Sequence, residues 1–173
     1  STKSCVVPWH WRTSDLTIQG GTKVCLMEFT LKPIGIISSP FIDKDRMPIQ
    51  SSRTKAIGNV QVFSEFAEGL LDIEGFSHII LLYVFHHSST YSLHIKPFLD
   101  DKLHGVFSTR YPYRPNPIGL SVVRLLARHG NELAIEGVDV LDGTPLLDIK
   151  PYIPEFDVWD ASQNGWYYSR SQV

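Results

Sequence analysis

Short apolar runs recur along the chain, and their patterns predict β-strands rather than long helices. The segment "IGNVQVF" (57–63) alternates apolar and polar residues, as a half-buried strand does. The segment "HIILLYVFHH" (78–87) is a continuous apolar run of strand length, which predicts burial on both faces. Between them, "FAEGLLDIEGF" carries apolar residues at helical spacing and predicts a short helix around 65–71.

The other apolar runs also have strand length. In the first of them, Pro33 indicates an edge position or a bulge, because proline has no N–H for a sheet ladder. The tetrapeptide "HGNE" (129–132) predicts a hairpin turn. Many strands, short turns and one or two short helices predict a mainly β fold, a small antiparallel β-barrel. The remaining strand-like runs are "FTLKPIGIIS" (29–38), "GVFSTR" (105–110), "LSVVRLLARHG" (120–130), "ELAIEGVDVL" (132–141) and "PLLDIKPY" (145–152).

The pattern also suggests a division of the chain. Residues 1–26 show little sustained periodicity, so we interpret them as an N-terminal appendage of uncertain role, with Trp9 and Trp11 as possible anchors. The barrel domain is predicted over 27–160, and 161–173 form a C-terminal tail. A length of 173 residues suits one domain with a substantial core.

Composition changes this picture little. Hydrophobic residues make up 43% of the chain and charged residues 20%, which is typical of soluble globular proteins. No apolar stretch reaches about 18 residues, so no membrane span is predicted. The start lacks the pattern of a secretory signal, and Cys5 and Cys25 alone are no disulfide framework. We therefore expect a reduced, cytoplasmic protein.

Familiar catalytic motifs are missing. The chain contains no GxG, HExxH, CxxC or GxSxG, which argues against a Rossmann-type nucleotide site, a zinc protease and a serine hydrolase. Polar residues instead cluster in four places. These are "RMPIQSS" (46–52), "FHHSS" (85–89), "FSTRYPYRPNPIGLS" (107–121) and "GVDVLDGTPLLDIKPYIPEFD" (137–157).

The third cluster holds one asparagine in a stiff frame. Asn116 lies between Pro115 and Pro117, and each proline locks its own φ and restricts the residue before it. Such stiffness suits a site that holds a polar group in fixed geometry. The alternative is that Asn116 caps a turn through its own backbone.

The same region carries a local excess of positive charge. Between Leu103 and Asn131 there are four arginines and no acidic residue, although the net charge of the chain is −2. A phosphate backbone would bind here if anywhere. The alternative is that these side chains are solvated and contact nothing. The four are Arg110, Arg114, Arg124 and Arg128.

Three ordered motifs carry a resemblance to a known family. "TRYPYRPNPIGLSVVRLL" followed by "VDVLDGTPLLDIKPYIPEFD", with "GFSHIILLYVFH" upstream, closely resembles the TsaA/TrmO-type tRNA methyltransferases over about 29–157. The resemblance implies a homodimeric β-barrel that uses S-adenosylmethionine to methylate N6 of threonylcarbamoyladenosine beside the anticodon of tRNA. It also implies a class of methyltransferase distinct from the Rossmann type. The alternative is a barrel that binds RNA or a nucleotide without chemistry.

The resemblance also implies roles for individual residues. The early cofactor loop, "MPIQSS" here, departs from the commoner Pro-Arg-Gln-Pro. The residues implied to bind the cofactor are Gln50, Ser51, Ser52, His86, His87, Arg110, Leu120, Val138 and Asp139. Catalytic roles are predicted for Asn116, Asp142 and Tyr152, and substrate contacts for Arg114, Arg124, Arg128 and Lys150.

Several of these residues have structural alternatives. Asp142 also suits the first position of a "DGTP" turn. Asp148 and Lys150 share one strand face and would pair with each other. Tyr152 offers a flat face for stacking, but aromatic residues of barrels usually belong to the core. His86 and His87 are expected at a strand end, pointing to opposite faces, so no metal site is predicted there.

Overall fold

The structure, a computed structural model, describes residues 12–17, 23–28, 30–43 and 54–167. The chain divides into two compact units, Ser1–Lys32 and Pro33–Val173. In the first unit, β1 (Arg12–Thr17) and β2 (Lys23–Glu28) form an antiparallel hairpin. The sequence pattern predicted no strands there, and Met27, the expected start of the domain, lies within β2.

The described residues of the second unit form eight strands, six of which close into a barrel. The barrel strands follow the order β10–β3–β4–β9–β8–β5, and every neighbouring pair is antiparallel, which confirms the predicted fold. The strands are β3 (Gly35–Ser38), β4 (Ile57–Val62), β5 (His78–Val84), β6 (His94–Ile95), β7 (His104–Gly105), β8 (Ile118–His129), β9 (Glu132–Glu136) and β10 (Thr144–Pro151).

Helices in the described residues are short. The predicted helix is present as a 3-10 helix at Ser64–Leu70, followed by another at Ile73–Gly75. The predicted strand over 105–110 is wrong, because β7 ends at Gly105 and Val106–Ser108 form a 3-10 turn. The expected strand over 29–38 is confined to its last four residues. A four-residue α-helix, α1 (Pro154–Asp157), and a 3-10 turn at Gly165–Tyr167 follow β10.

The core lies inside the barrel, because alternate residues of each strand point inward. In β5 the inward residues Ile79, Leu81 and Tyr83 are buried, whereas Ile80 and Leu82 are only partly covered. The prediction that β5 is buried on both faces is therefore wrong. The predicted hairpin turn between β8 and β9 is confirmed, with Gly130 at φ +64°.

The antiparallel order places three long connections at one end of the barrel. Strands β3, β5 and β9 run towards this end, and β4, β8 and β10 run away from it. The described parts of the three connections, 39–43 with 54–56, 85–117 and 137–143, therefore lie at this end, which we call the loop end. The opposite end carries 63–77, the tight turn at 130–131 and the residues that follow β10.

Candidate functional site

The loop end gathers most of the polar residues singled out from the sequence. They come from three separate segments of the chain, which only the closed barrel brings to one end. Those in the described residues are His86, His87, Arg110, Arg114, Asn116, Asp139 and Asp142, and the apolar Val138 lies among them in sequence. The predicted cofactor residues Gln50, Ser51 and Ser52 lie outside the described residues.

Asn116 is exposed at the point where the chain enters β8. Its backbone carbonyl accepts a hydrogen bond from the Ile118 N–H at 2.8 Å, and the Pro117 carbonyl accepts one from Phe85 at 2.8 Å. These backbone bonds close the turn and join it to the end of β5. Within the residues that the structure describes, the side-chain amide of Asn116 has no hydrogen-bond partner. The amide is therefore available to a ligand and does not cap the turn.

Arg114 stabilises the loop that precedes Asn116. Its Nη1 atom donates to three backbone carbonyls, those of Val106 at 3.0 Å, Thr109 at 2.8 Å and Tyr111 at 3.3 Å. The guanidinium also lies 5.8 Å from the centre of the Phe107 ring, within range of a cation–π contact. Arg114 is thus a positioning residue for this loop, and its predicted contact with tRNA remains a prediction.

A buried hydrogen-bond chain leads from the barrel interior to the loop end. The Ser121 hydroxyl donates to Oδ1 of Asp139 at 2.5 Å, and it lies 3.0 Å from the Tyr83 hydroxyl. A serine hydroxyl has one proton to give, so the Tyr83 phenol is the donor to Ser121. These two hydrogen bonds fix the position of the Asp139 carboxylate, which is only partly exposed.

The charges around Tyr83 also locate Arg110. Burial raises the pKa of Tyr83 above its ordinary value, and the Asp139 carboxylate raises this pKa further. The hydrogen bond with Ser121 and the charge of Arg110 act in the opposite direction. Tyr83 therefore keeps its proton, and Arg110 and Asp139 both lie within electrostatic reach of the same hydroxyl. One cation and one anion thus act on the same polar cluster.

Gly119 makes room for the Tyr83 ring. The two residues face each other across β5 and β8, and a Cβ atom at Gly119 would lie 2.2 Å from Cε2 of Tyr83. The ring has nowhere to move without leaving its bond to Ser121, because Tyr83 is only 4% exposed. A glycine in this strand thus permits the close approach that the hydrogen-bond chain requires.

We expect Gly119→Ala to lower the free energy of unfolding by about 1–3 kcal/mol, the usual cost of overpacking a core. Urea unfolding measures this change. Gly75→Ala is the matched control, because a Cβ atom there meets nothing within 4 Å. Equal stability of the two variants would show that the Tyr83 ring moves aside freely.

His86 and His87 lie beyond the end of β5, which alters the expectation for them. The chain turns after Val84, and the His86 N–H donates to the Val84 carbonyl at 2.8 Å. Their ring centres are 4.1 Å apart, so the expectation that they point to opposite faces of a strand is wrong. Partial burial and the neighbouring His87 lower the pKa of His86, which favours the neutral imidazole. Among the described side chains, no group of three or more His, Cys, Asp or Glu could hold a metal ion.

Asp142 and Val138 have supporting roles at the loop end. Oδ1 of Asp142 accepts the Ser39 N–H at 3.0 Å, and the Asp142 N–H donates to the Phe41 carbonyl at 2.8 Å. Asp142 therefore joins the loop after β3 to the loop after β9. The Val138 side chain is 1% exposed and belongs to the core, so only its backbone could contact a cofactor.

Leu120 lies on the outer face of the barrel. It pairs with Leu82 across β5 and β8 and is 46% exposed. The neighbouring cross-strand pairs, Val84 with Ile118 and Ile80 with Val122, are apolar as well. Together these six residues form an outer patch, which we call the β5–β8 face.

Two predicted residues lie away from the loop end. Tyr152 follows β10 at the opposite end, where its N–H donates to the His78 carbonyl at 3.1 Å. Lys150 pairs with Asp148 at 2.7 Å, which confirms the predicted ion pair. A single copy of the chain does not bring either residue to Asn116.

The two remaining arginines have acidic neighbours. Nη1 of Arg128 lies 3.0 Å from Oε1 of Glu74 and also donates to the Leu70 carbonyl. Nη1 of Arg124 lies 3.9 Å from Oε1 of Glu136, and its side chain is 59% exposed. Arg124 is thus the more accessible of the two. Their predicted contacts with tRNA remain predictions.

Sequence reasoning missed Tyr83 and Ser121. Both lie in strands predicted from apolar runs, and the sequence analysis singles out neither as a site residue. The signal available was a tyrosine and a serine at inward positions of strands that flank the polar clusters, since a buried hydroxyl requires a partner. The identity of that partner follows only from the register between β5 and β8.

Comparison with known proteins connects this chain to a family. The model of the tRNA-methyltransferase O N-terminal domain matches residues 36–158. A protein of Pyrococcus abyssi named "Probable S-adenosyl-L-methionine-binding protein" is 60% identical over 136 residues, covering 78% of this chain and 74% of the relative. The human "tRNA (adenine(37)-N6)-methyltransferase" is 39% identical over 134 residues, covering 73% of this chain and 30% of the relative.

A solved structure gives the same result for the fold. The crystal structure of TrmO from Pseudomonas aeruginosa matches with a TM-score of 0.69 and 39% sequence identity. The match covers 81% of this chain and 63% of the TrmO chain. This chain therefore spans less than two thirds of that protein and less than a third of the human one.

Proposed function

The chain belongs to the family of the tRNA-methyltransferase O N-terminal domain, and on that premise we propose that it methylates N6 of an adenosine in tRNA with S-adenosylmethionine. As the finer substrate we propose threonylcarbamoyladenosine beside the anticodon, in the cytoplasm. The observation that carries the proposal is the exposed amide of Asn116. It is fixed by two prolines at the end of the barrel that also holds Arg110 and Asp139.

The residues at the loop end fit the cofactor by their charges. S-adenosylmethionine has a carboxylate, an ammonium group, a sulfonium and ribose hydroxyls. The Arg110 guanidinium suits the carboxylate, and the Asp139 carboxylate suits the ammonium group or a ribose hydroxyl. The chain Tyr83–Ser121–Asp139 fixes the acceptor before the ligand arrives, which lowers the cost of ordering it.

The cofactor, when bound, supplies a methyl group on a positively charged sulfur. This chain would then hold the attacking nitrogen in line and exclude water, since displacement at carbon depends mainly on positioning. Oδ1 of Asn116 would accept a hydrogen bond from N6–H and aim the nitrogen lone pair. N6 would gain the methyl group as the carbon–sulfur bond breaks, and it would lose this proton to solvent. Arg114, through the three carbonyls it binds, would keep the loop before Asn116 in place.

A labelling experiment tests the proposal. Bulk tRNA incubated with S-adenosylmethionine labelled in its methyl group is digested to nucleosides, and label is expected in a methylated threonylcarbamoyladenosine. Label in another N6-methylated adenosine would support the methyltransferase activity but would replace threonylcarbamoyladenosine as the proposed substrate. If the tRNA gains no label, while the demethylated cofactor raises the melting temperature of the protein, the result would favour a barrel that binds without chemistry.

We also propose a C2 homodimer that forms through the β5–β8 face. The face is a continuous set of apolar cross-strand pairs, and it begins beside the loop end where Ile118 follows Asn116. Exposed apolar patches of this kind mark contact surfaces, and a two-fold axis lets one patch serve both subunits. A partner bound here would lie next to the site of each copy.

Light scattering is expected to give the mass of a dimer. Leu120→Glu should shift the protein towards monomer, because each dimer would bury two unpaired carboxylates. Ile57→Glu is the control, since Ile57 is also exposed, at 53%, but lies on β4, two strands from β8. A parent protein that is monomeric at working concentration would contradict the dimer.

A further inference from the structure

The turn that carries Arg110 is held from outside the barrel by a tryptophan. Val106–Ser108 form a 3-10 turn whose own bonds include the Ser108 hydroxyl to the Gly105 carbonyl at 2.7 Å and Thr109 N–H to the Val106 carbonyl at 3.1 Å. The Ser108 carbonyl is left for a different partner. It accepts the indole Nε1–H of Trp166 at 2.8 Å, across 58 positions of sequence.

A second contact holds the same indole. The ring of Trp166 stacks on His104 with centres 4.7 Å apart and an angle of 26° between the planes. Nε2 of His104 lies 3.2 Å from Oδ2 of Asp100, and the two side chains are only 15% and 7% exposed. His104 is thus fixed by a buried carboxylate on one side and gives the indole a rigid surface. Stacking and a hydrogen bond together set both the plane and the position of Trp166.

Trp166 belongs to a part of the chain that the family resemblance does not cover. The family match ends at residue 158, eight positions earlier, and the sequence pattern gave 161–173 no role. Trp159, which also follows β10, is 83% exposed. The aromatic residues after β10 are therefore not all packed against the rest of the protein. The anchoring of Trp166 is therefore specific.

We propose that Trp166 is a positioning residue that clamps the Gly105–Arg110 turn and thereby sets the place of Arg110 in the cofactor site. The proposal rests on the function proposed above. The clamp point, Ser108, lies two residues before Arg110, whose charge acts on the Tyr83 hydroxyl beside Asp139. Loss of the indole would release the turn without touching the barrel core, because the buried core residues come from the strands and from the segments that cover them.

Hydrogen exchange tests the clamp without any ligand. In Trp166→Ala the amide of Thr109 should exchange about tenfold faster, because the turn opens more often. Trp166→Phe keeps the stacking but loses the indole donor, so its exchange rate at Thr109 should lie between those of the parent and Trp166→Ala. Trp159→Ala is the matched control and should exchange as the parent does. Unchanged exchange at Thr109 in Trp166→Ala would overturn the clamp.

Cofactor affinity tests the consequence for the site. Calorimetry with S-adenosylhomocysteine should show about tenfold weaker binding in Trp166→Ala, an intermediate value in Trp166→Phe and no change in Trp159→Ala. Because coupling is reciprocal, bound S-adenosylhomocysteine should in turn slow exchange at Thr109 in the parent. Parent-like affinity in Trp166→Ala would confine Trp166 to anchoring the tail. A parent that binds no S-adenosylhomocysteine would instead refute the proposed function, while exchange at Thr109 still decides the clamp.

Discussion

Asn116→Ala is expected to lower kcat by about 100-fold or more, the scale on which loss of one preorganised polar group acts. The interaction between Oδ1 and the adenine amine strengthens as nitrogen attacks the methyl group, so its loss falls on the chemical step rather than on binding. The side chain has no other partner among the described residues, and the turn is closed by backbone bonds. The melting temperature and the affinity for S-adenosylhomocysteine should therefore stay close to those of the parent. Single-turnover rates measure the effect.

Two further variants separate catalysis from turn formation. Asn116→Asp should retain more activity than Asn116→Ala, because a carboxylate oxygen still accepts a hydrogen bond from the amine. Asn59→Ala, a change of an exposed asparagine on β4, should leave the rate unchanged. If Asn116 served only the turn, Asn116→Asp would be nearly silent and Asn116→Ala would lose stability and activity together. Near-normal chemistry in Asn116→Ala would end the catalytic assignment.

The sequence predicted the barrel because local patterns and global fold agree along most of its strands. The alternation over 57–63 and the run over 120–130 are strands in the structure, and the "HGNE" turn joins β8 to β9 as expected. These segments combine strand periodicity with a turn that glycine makes possible at φ +64°. Periodicity alone then suffices.

The failures have a physical reason in each case. The run over 78–87 looked buried on both faces because the outward residues Ile80 and Leu82 are as apolar as the inward ones. A strand with an apolar outer face has the same sequence pattern as a strand whose outer face is covered by a second layer of protein. The pattern of "GVFSTR" predicts a strand, but the Ser108 and Thr109 hydroxyls bond to carbonyls three residues back and favour a tight turn.

The residue types of the candidate site were predictable from the sequence, but the directions of its side chains were less so. Arg110 and Arg114 are four residues apart on an irregular loop, so spacing could not tell which of them points into the site. In the structure Arg114 binds loop carbonyls, while the charge of Arg110 acts on Tyr83. The family resemblance places Tyr152 and Lys150 with the site. Strand β10 separates them from it, since an extended strand advances about 3.3 Å per residue.

Arg110→Ala should weaken the binding of S-adenosylmethionine by roughly 1.5–3 kcal/mol, or about 10- to 150-fold, the scale for one charge-assisted hydrogen bond. Its guanidinium is the cation whose charge reaches the Tyr83–Ser121–Asp139 chain, and the cofactor carboxylate needs such a partner. The barrel should remain intact, because Arg110 is exposed and lies outside the core. Calorimetry with S-adenosylhomocysteine, which has the same carboxylate, measures the loss.

Arg110→Lys distinguishes geometry from charge. Lysine keeps the positive charge but cannot present two parallel donors, so its affinity should lie between those of the parent and Arg110→Ala. Arg124→Ala is the matched control for removing a guanidinium, because Arg124 lies within β8 beside Glu136 and not in the loop that carries Arg110. Its affinity for the cofactor should be that of the parent. Unchanged affinity in Arg110→Ala, with an unchanged melting temperature, would remove Arg110 from the cofactor site. The carboxylate would then require a cation from residues 44–53, which lie outside the described part of the chain, or from a second copy of the chain.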